Sequence, residues 1–242
     1  MAQDEHSERQ DRRERLERLA GYLAQDPHNP ALLRDAAQAA LAANAPQRAA
    51  EWLAALEAGG QADAADRNLL GIAWMRGGQP DQAAQRFADL LTAAPGDPAL
   101  RFNLAWARAL AKDFAGARAL LDADLTAALP QAALLEVQLM HDAGEFEAAT
   151  ETARGHVARH PDYPPLLAAV SVLALDVEDE DLARHCATRA GAHPDALTTL
   201  GTLTLGDMDH AAARPLFERA LAADERSPRA WIGLGLSHLA AG

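Results

Sequence analysis

A small residue recurs at the same place in a pattern of about 34 residues along nearly the whole chain. Residues 64–97 show the pattern in full, and its markers are, in order, Leu70, Gly71, Trp74, Gly77, Gly78, Ala83, Phe87, Leu90 and Pro95. The Gly71 position recurs at intervals of 34, 34, 32, 33, 31 and 34 residues, as Ala37, Gly71, Ala105, Val137, Val170, Gly201 and Gly235. The Ala83 position recurs as Ala49, Ala83, Ala117, Ala149, Ala183 and Ala213. Repeats in phase restrict the fold to an array of similar units.

Within one unit, the spacing predicts two amphipathic helices. Leu70, Gly71 and Trp74 are spaced so that they lie on one face of a first helix. Ala83, Phe87 and Leu90 are likewise spaced to lie on one face of a second helix. The two glycines after the first helix predict a turn, and Pro95 stops the second helix. Each unit is therefore predicted to be a pair of helices joined by a short turn.

The order Leu-Gly, aromatic, Ala, aromatic, apolar and Pro resembles the tetratricopeptide repeat. Six copies in phase cover nearly the whole chain. The resemblance implies an all-α fold, a right-handed α-solenoid of helix-turn-helix tetratricopeptide-like repeats. It also implies a role in protein–protein interaction.

The repeat boundaries divide the chain into four kinds of segment. We expect a disordered N-terminal tail at 1–10, a capping helix at 11–29, and a first helix of an incomplete seventh repeat at 228–242. The six complete repeats are predicted at 30–63, 64–97, 98–129, 130–162, 163–193 and 194–227. The second helix of repeat three is predicted near 114–125. One residue departs from the pattern, since Glu136 in the first helix of repeat four stands where a buried leucine is expected. Either that helix is rotated locally, which we favour, or Glu136 is a true exception.

Composition excludes some partners. The net charge of −13 argues against nucleic acid, because binding phosphates needs a basic surface. The same charge favours a basic or apolar protein partner. With one cysteine, an absent signal core and no segment of membrane-spanning length, we expect a cytoplasmic protein without a membrane role. Lys112 is the only lysine among 22 basic residues, which suggests a GC-rich bacterial genome.

No motif predicts catalysis, a cofactor or a metal. His156 and His160 have ligand spacing on a helix, with Cys186 in the next repeat, but no HExxH or CxxC accompanies them. Cys186 is predicted to be a buried, inert thiol. The acidic run 176–181 lacks the glycine and spacing of a calcium loop, so it is interpreted as a turn with helix-capping acids. The chain is therefore expected not to be an enzyme.

The first helices of a stacked array line its concave face, so their residues not used in packing form a candidate peptide-binding groove. Two of these are aromatic, Phe102 and Trp106, and either mark a contact patch or pack on neighbouring helices. The predicted peptide-binding residues are Asn68, Ile72, Met75, Phe102, Asn103, Trp106, Leu134 and Gln138. Tetratricopeptide domains that clamp acidic C-termini carry a set of groove lysines, arginines and asparagines. Only Asn103 matches that set, which disfavours acidic C-termini as ligands.

The sequence favours a non-catalytic scaffold or adaptor that binds a peptide or helix in this groove. Two other functions stay open: a regulatory or substrate-recruiting arm of a larger enzyme of the glycosyl- or sulfotransferase type, and a secretion chaperone. A longer reading frame with a catalytic segment would favour the enzyme arm. Co-purification of one secreted substrate would favour the secretion chaperone. The apolar segment 228–241 predicts either that the array continues past Gly242 or that the chain self-associates through this helix.

Overall fold

The computed structural model describes residues 2–239, with side chains described from residue 7 onward. Within this range the chain is helical and contains no strand. It forms two compact units that divide between Leu120 and Leu121.

The described residues of the first unit, unit 1, form seven helices, and each contacts the next along the chain. They are α1 (Ala2–Gln25), α2 (Pro30–Ala42), α3 (Pro46–Ala58), α4 (Ala64–Arg76), α5 (Pro80–Ala93), α6 (Pro98–Leu110) and α7 (Phe114–Arg118). The helix α4 also contacts α6, so the first helices of neighbouring pairs lie side by side.

The second unit, unit 2, contains eight helices in the part of the chain that the structure describes. They are α8 (Ala123–Ala128), α9 (Pro130–Asp142), α10 (Phe146–Arg159), α11 (Pro164–Asp176), α12 (Glu180–Ala190), α13 (Pro194–Gly206), α14 (His210–Ala223) and α15 (Pro228–Leu239). Consecutive helices from α8 to α15 pack on each other, and the first helices α9, α11, α13 and α15 form contacts in that order.

These helix-turn-helix pairs confirm the predicted all-α solenoid fold. In both units the repeating small residues are buried between helices. At the Ala83 position, Ala49, Ala83, Ala117, Ala149, Ala183 and Ala213 are each 0% exposed. Small side chains at these points let the two helices of a pair pack closely, which explains why alanine serves where larger residues would not fit. The helix pairs fall within the ranges predicted for the six repeats, whose exact division stays a prediction.

Each turn between paired helices contains a residue with left-handed backbone at an equivalent position. These residues are Asn44, Gly78, Lys112, Gly144, Glu178 and Met208, with φ between 58° and 79°. In the turn after α4, the N–H of Gln79 donates to the carbonyl of Trp74 at 2.8 Å, which closes the helix end. The turn geometry is therefore the same whether or not the sequence supplies glycine.

The N-terminal helix is longer than the sequence predicted. The helix α1 begins at Ala2, so helix covers residues 2–10, where a disordered tail was expected. Polar and charged side chains one turn apart support this extension, since Arg12 donates to Glu8 at 2.7 Å and Gln10 donates to Glu14 at 2.9 Å. The apolar pattern used for the prediction could not detect helix that has little apolar surface.

Repeat three departs from its predicted second helix near 114–125. The helix α7 ends at Arg118, and α8 begins after Asp122, whose side chain accepts a hydrogen bond from Leu125 N–H at 2.9 Å. Asp122 thus caps a new helix within the predicted one, and Leu125 is fully buried. The division between the two units lies in this break.

An ion pair between half-buried Arg34 and buried Asp66 in unit 1 connects the starts of α2 and α4. Arg34 Nε donates to both carboxylate oxygens of Asp66 at 3.1 and 2.9 Å, and its terminal nitrogen donates to the carbonyl of Gln61 at 2.7 Å. Asp66 also exchanges hydrogen bonds with Asp63 in a capping box. Burial alone would raise the pKa of Asp66, but the hydrogen bonds from Arg34 and the Asp63 N–H outweigh it, and the pKa lies below its usual value.

We expect Asp66→Asn to lower the free energy of unfolding by about 1–2 kcal/mol at pH 7. Because the folded-state pKa of Asp66 is depressed, its contribution is present above the usual aspartate pKa and is lost as pH falls through the folded-state value. Urea unfolding at pH 7 and at pH 3 tests this. The difference between the two proteins should shrink at the lower pH, and a constant difference would contradict the assignment.

Among the described residues, no helix combines the length and the apolar character needed to cross a membrane.

Candidate functional site

An apolar stripe lies exposed on α6 in unit 1. Phe102, Trp106 and Leu110 follow each other at four-residue spacing, so they share one side of the helix. We call these three residues the α6 face. Trp106 is 41% exposed and Leu110 44%, and Phe102 is half-buried. The rings of Phe102 and Trp106 lie 5.9 Å apart between centroids, tilted by 34°.

The local sequence explains why this side of α6 is free. Asp97 caps the helix by accepting hydrogen bonds from the N–H groups of Ala99 and Leu100 at 2.8 and 3.1 Å. The opposite side carries Leu100, Leu104 and Ala107, which are buried against residues of α4 and α5. The core therefore does not use the aromatic side chains, which favours a contact surface over simple packing.

Polar groups border the α6 face. Asn103 donates through Nδ2 to Oδ1 of Asn68 at 3.2 Å, which connects α6 to α4. Both amides are half-buried and keep further donor and acceptor capacity. Ile72 lies half-buried one turn along α4 from Asn68. Five of the eight predicted site residues therefore lie on the adjacent helices α4 and α6 with exposed or half-buried side chains.

Met75 was wrongly predicted to face the groove. It is 6% exposed and belongs to the buried cluster that contains Phe87, Leu100 and Leu104. Spacing along α4 alone places Met75 beside Ile72, but α6 covers its side chain. An unbranched methionine fills such an irregular gap well.

Leu134 and Gln138 belong to unit 2, whereas the other predicted site residues belong to unit 1. Leu134 is half-buried against the core cluster of α9 to α12, and Gln138 is exposed. They form a separate surface on α9.

Sequence reasoning missed Phe114, an exposed aromatic residue near the end of α6. Phe114 is 45% exposed at the start of α7, and the Lys112 ammonium lies 5.7 Å from its ring centroid. The available signal was an aromatic residue at the first position of a second helix, directly after a charged turn. Phe114 offers further aromatic surface in unit 1.

The histidines singled out by sequence are hydrogen-bonded separately. The Nε2 atom of His156 lies 2.7 Å from a Glu136 carboxylate oxygen, and His160 Nε2 donates to the Thr126 carbonyl at 2.7 Å. No group of three or more His, Cys, Asp or Glu in the described chain has an arrangement that could hold a metal ion. The local rotation proposed for α9 is also wrong, because Val137 is buried in register and Glu136 instead pairs with the buried His156.

The structure confirms that the acidic run 176–181 forms a turn with helix-capping acids. Asp179 accepts a hydrogen bond from Leu182 N–H at 3.1 Å and pairs with Arg154. Asp176 lies 2.8 Å from His141 Nε2 and 3.4 Å from the Arg229 guanidinium. These carboxylates therefore stabilise helix ends and connect helices of unit 2.

Cys186 is 0% exposed, and burial raises the pKa of its thiol to about 11. Since the thiolate is the reactive form, we expect the native protein to react with Ellman's reagent at least about a hundredfold more slowly than the urea-unfolded protein. The absorbance at neutral pH measures both rates. Fast reaction of the folded protein would contradict the buried placement.

Comparison with known proteins supports the fold. Tetratricopeptide repeat family models match residues 75–128 and 198–242. No curated protein matches the sequence. A tetratricopeptide repeat protein from Parabacteroides merdae is similar in structure, with a TM-score of 0.69 and 15% identity, over 92% of this chain and 91% of that one.

Two further structures share the fold. PilF of Pseudomonas aeruginosa has a TM-score of 0.60 and 14% identity, with 92% of this chain and 96% of that one covered. A chain of the APC/C hetero-tetramer Cut9–Hcn1 has a TM-score of 0.68 and 16% identity over 91% of this chain, which spans only 45% of that larger one. The two family matches show tetratricopeptide repeats at residues 75–128 and 198–242, and the helix pairs of the described chain share the fold of tetratricopeptide repeat proteins.

Proposed function

We propose that the chain is a non-catalytic interaction scaffold whose α6 face binds a peptide or helix of a protein partner. The observation that carries this proposal is the pair of exposed Trp106 and half-buried Phe102, which lies on a helix whose opposite side already supplies the core. Exposed aromatic side chains commonly provide the main anchors of protein interfaces.

The polar border suits a backbone ligand. The Asn68–Asn103 pair presents amide groups beside the aromatic stripe, and these can hydrogen-bond a bound main chain. Ile72 adds apolar surface on α4. Asn68, Ile72, Phe102, Asn103 and Trp106 therefore make up the proposed unit 1 site, without the buried Met75. Leu134 and Gln138 remain candidates for a separate contact on unit 2.

The charge distribution favours a partner that is apolar with basic residues. Unit 1 has 14 Lys and Arg against 16 Asp and Glu, a net −2, whereas unit 2 has 8 against 19, a net −11. A basic partner would be attracted to unit 2 and an apolar segment would suit the α6 face. The family fits this role, and the similar chain of Cut9–Hcn1 is part of a hetero-tetramer. Self-association through 228–241 stays a prediction, and residues 240–241 lie outside the described chain.

Affinity capture with quantitative mass spectrometry tests the proposed function. We expect the wild-type chain to retain a partner that Phe102→Ala/Trp106→Ala loses. Phe146→Ala is the matched control, since Phe146 is 42% exposed but lies in unit 2. Equal capture by all three proteins would contradict the assignment to the α6 face.

A further inference from the structure

The side of α1 that packs on α2 changes from leucine to arginine at one point along the helix. Leu16 and Leu23 are 4% and 6% exposed and belong to the buried clusters beneath α1. Helical spacing continues this side towards the start of α1 through Arg13, Arg12 and Arg9, which lie three, four and seven residues before Leu16. All three arginines are exposed. Charged groups therefore occupy this side of α1 where its buried contacts stop.

The three arginines line a cavity of about 340 Å³ between α1 and the end of α2. The other side of this cavity is formed by Ala42, Ala43 and Asn44, at the end of α2 and in the turn after it. We call this space the α1 cavity. Among the described residues, those that line it include no aspartate or glutamate. It is therefore a basic site in a chain whose net charge is −13.

The backbone itself closes the last turn of α2 beside this cavity. The Ala43 N–H donates to the Ala39 carbonyl at 2.9 Å, and the Ala45 N–H donates to the Ala40 carbonyl at 2.8 Å. These carbonyl groups therefore do not require the arginines as hydrogen-bond donors, and capping of α2 does not explain why three arginines lie here.

Arg12 has an acidic partner on its own helix. Its terminal nitrogen lies 2.7 Å from a carboxylate oxygen of Glu8, and the two side chains are 50% and 66% exposed. Exposed ion pairs one turn apart on a helix contribute little to stability, so a more highly charged anion can replace this contact. A guanidinium also has several N–H donors, and the Glu8 contact occupies only part of that set.

The charges of α1 as a whole favour a compact anion over an extended one. Residues 2–25 contain six Asp and Glu against five Arg. Asp11, Glu14 and Glu17 lie on other sides of the helix than Leu16. An anionic membrane or a nucleic acid would contact this wider surface and its net negative charge, whereas a small anion meets only the guanidinium groups.

We propose that the α1 cavity binds a phosphate monoester. This group carries about 1.5 to 2 negative charges at pH 7 and several acceptor oxygens, and arginine binds such oxygens through paired N–H groups. Arg12 and Arg13 hold the phosphate, and the amide of Asn44 supplies a further donor. Ala42 and Ala43 offer a small apolar surface to the carbon atoms that the phosphate is attached to. The site lies on α1 and α2, so it is independent of the α6 face.

Titration of the full ¹⁵N-labelled chain with inorganic phosphate, followed by NMR at pH 7 and constant ionic strength, tests the proposal. We expect the backbone amide signals of Ala43 and Asn44 to shift along a saturable curve. Acetate should bind at least about tenfold more weakly, because it carries a single charge and fewer acceptor oxygens. Equal affinity for acetate would overturn the proposal, since the cavity would then attract anions in general.

Arg12→Gln/Arg13→Gln should weaken phosphate binding at least about tenfold. Arg15→Gln/Arg18→Gln is the matched control, because it removes the same charge from exposed positions on other sides of α1 and should change the affinity less than about twofold. Circular dichroism compares the helix content of the two proteins. Arg13→Gln alone leaves the Arg12–Glu8 pair in place and should still weaken binding at least about threefold, so a loss of helix in the double variant does not remove the test.

Absence of saturable binding, or equal losses in the cavity variants and the control, would overturn the proposal. A second ligand, N-acetyl-phosphoserine amide, identifies the source of the phosphate. Tighter binding than inorganic phosphate would assign the site to a phosphorylated polypeptide, and equal binding to a free phosphate, and both results support a phosphate site. Co-sedimentation with vesicles of phosphatidylcholine and phosphatidylglycerol that is lost in Arg12→Gln/Arg13→Gln would assign the arginines to a membrane surface and overturn the proposal.

Discussion

Replacing Phe87 with alanine is expected to lower the free energy of unfolding by about 3–5 kcal/mol. The side chain is 0% exposed, and its ring lies between Gly71 of α4 and the Met75, Leu100 and Leu104 cluster. Removing it leaves a large cavity that rigid helix backbones cannot close. Urea unfolding followed by circular dichroism measures the change.

The control is the same phenylalanine-to-alanine replacement at an exposed position. Phe114→Ala should change the free energy of unfolding by less than about 1 kcal/mol. A second control uses coupling. Gly71→Ala should destabilise the wild-type protein, because the new Cβ would lie 2.7 Å from the ring, but should cost much less in the Phe87→Ala background. If the two substitutions were additive, the ring would not lie on Gly71, and the packing assigned to the repeat would be wrong.

Trp106→Ala is expected to weaken partner binding by about 2 kcal/mol, or roughly 30-fold. The reason is that Trp106 is the largest side chain of the α6 face and stacks beside Phe102 rather than in the core. Isothermal titration calorimetry with the partner identified by affinity capture measures the loss.

Stability decides whether that loss belongs to the interface. Because Trp106 is 41% exposed, its replacement should cost about 1 kcal/mol of folding free energy or less, not the 3–5 kcal/mol of a buried aromatic residue. A variant that unfolds readily while its folded fraction binds normally would place Trp106 in the core and remove the basis of the α6 face.

The fold could be predicted from the sequence because each repeat has similar residues at the same packing positions. The Gly71 and Ala83 positions recur in phase, and a single type of helix pair explains both. The turns were visible wherever glycine supplies the left-handed residue, as at Gly78. Lys112 and Met208 adopt the same backbone without being favoured there, so only the surrounding repeat identifies those turns.

The departures from the prediction have long-range causes. Glu136 looks misplaced within α9 because its partner, His156, lies 20 residues away on α10. Met75 looks exposed along α4 because the helix that covers it, α6, begins only at Pro98. The break between α7 and α8 depends on the choice of Asp122 as a cap within an alanine-rich stretch that would otherwise favour helix.

The candidate site could be predicted only in part. Four-residue spacing placed Phe102 and Trp106 on one side of a helix, but sequence alone left open whether that side is packed or free. Exposure decides this point, since Leu104 and Ala107 of the same helix are buried whereas Trp106 is not. The contribution of Asn68 depended on a contact with Asn103 across two helices, which no local pattern encodes.

Site-specific photo-crosslinking tests the central claim most directly. A benzophenone amino acid at position 106 should form a covalent adduct with the partner in the source cell. The same amino acid at Tyr22, which is 51% exposed on α1 of the same unit, should not. An adduct from position 22 with none from position 106 would contradict the α6 face as the binding surface.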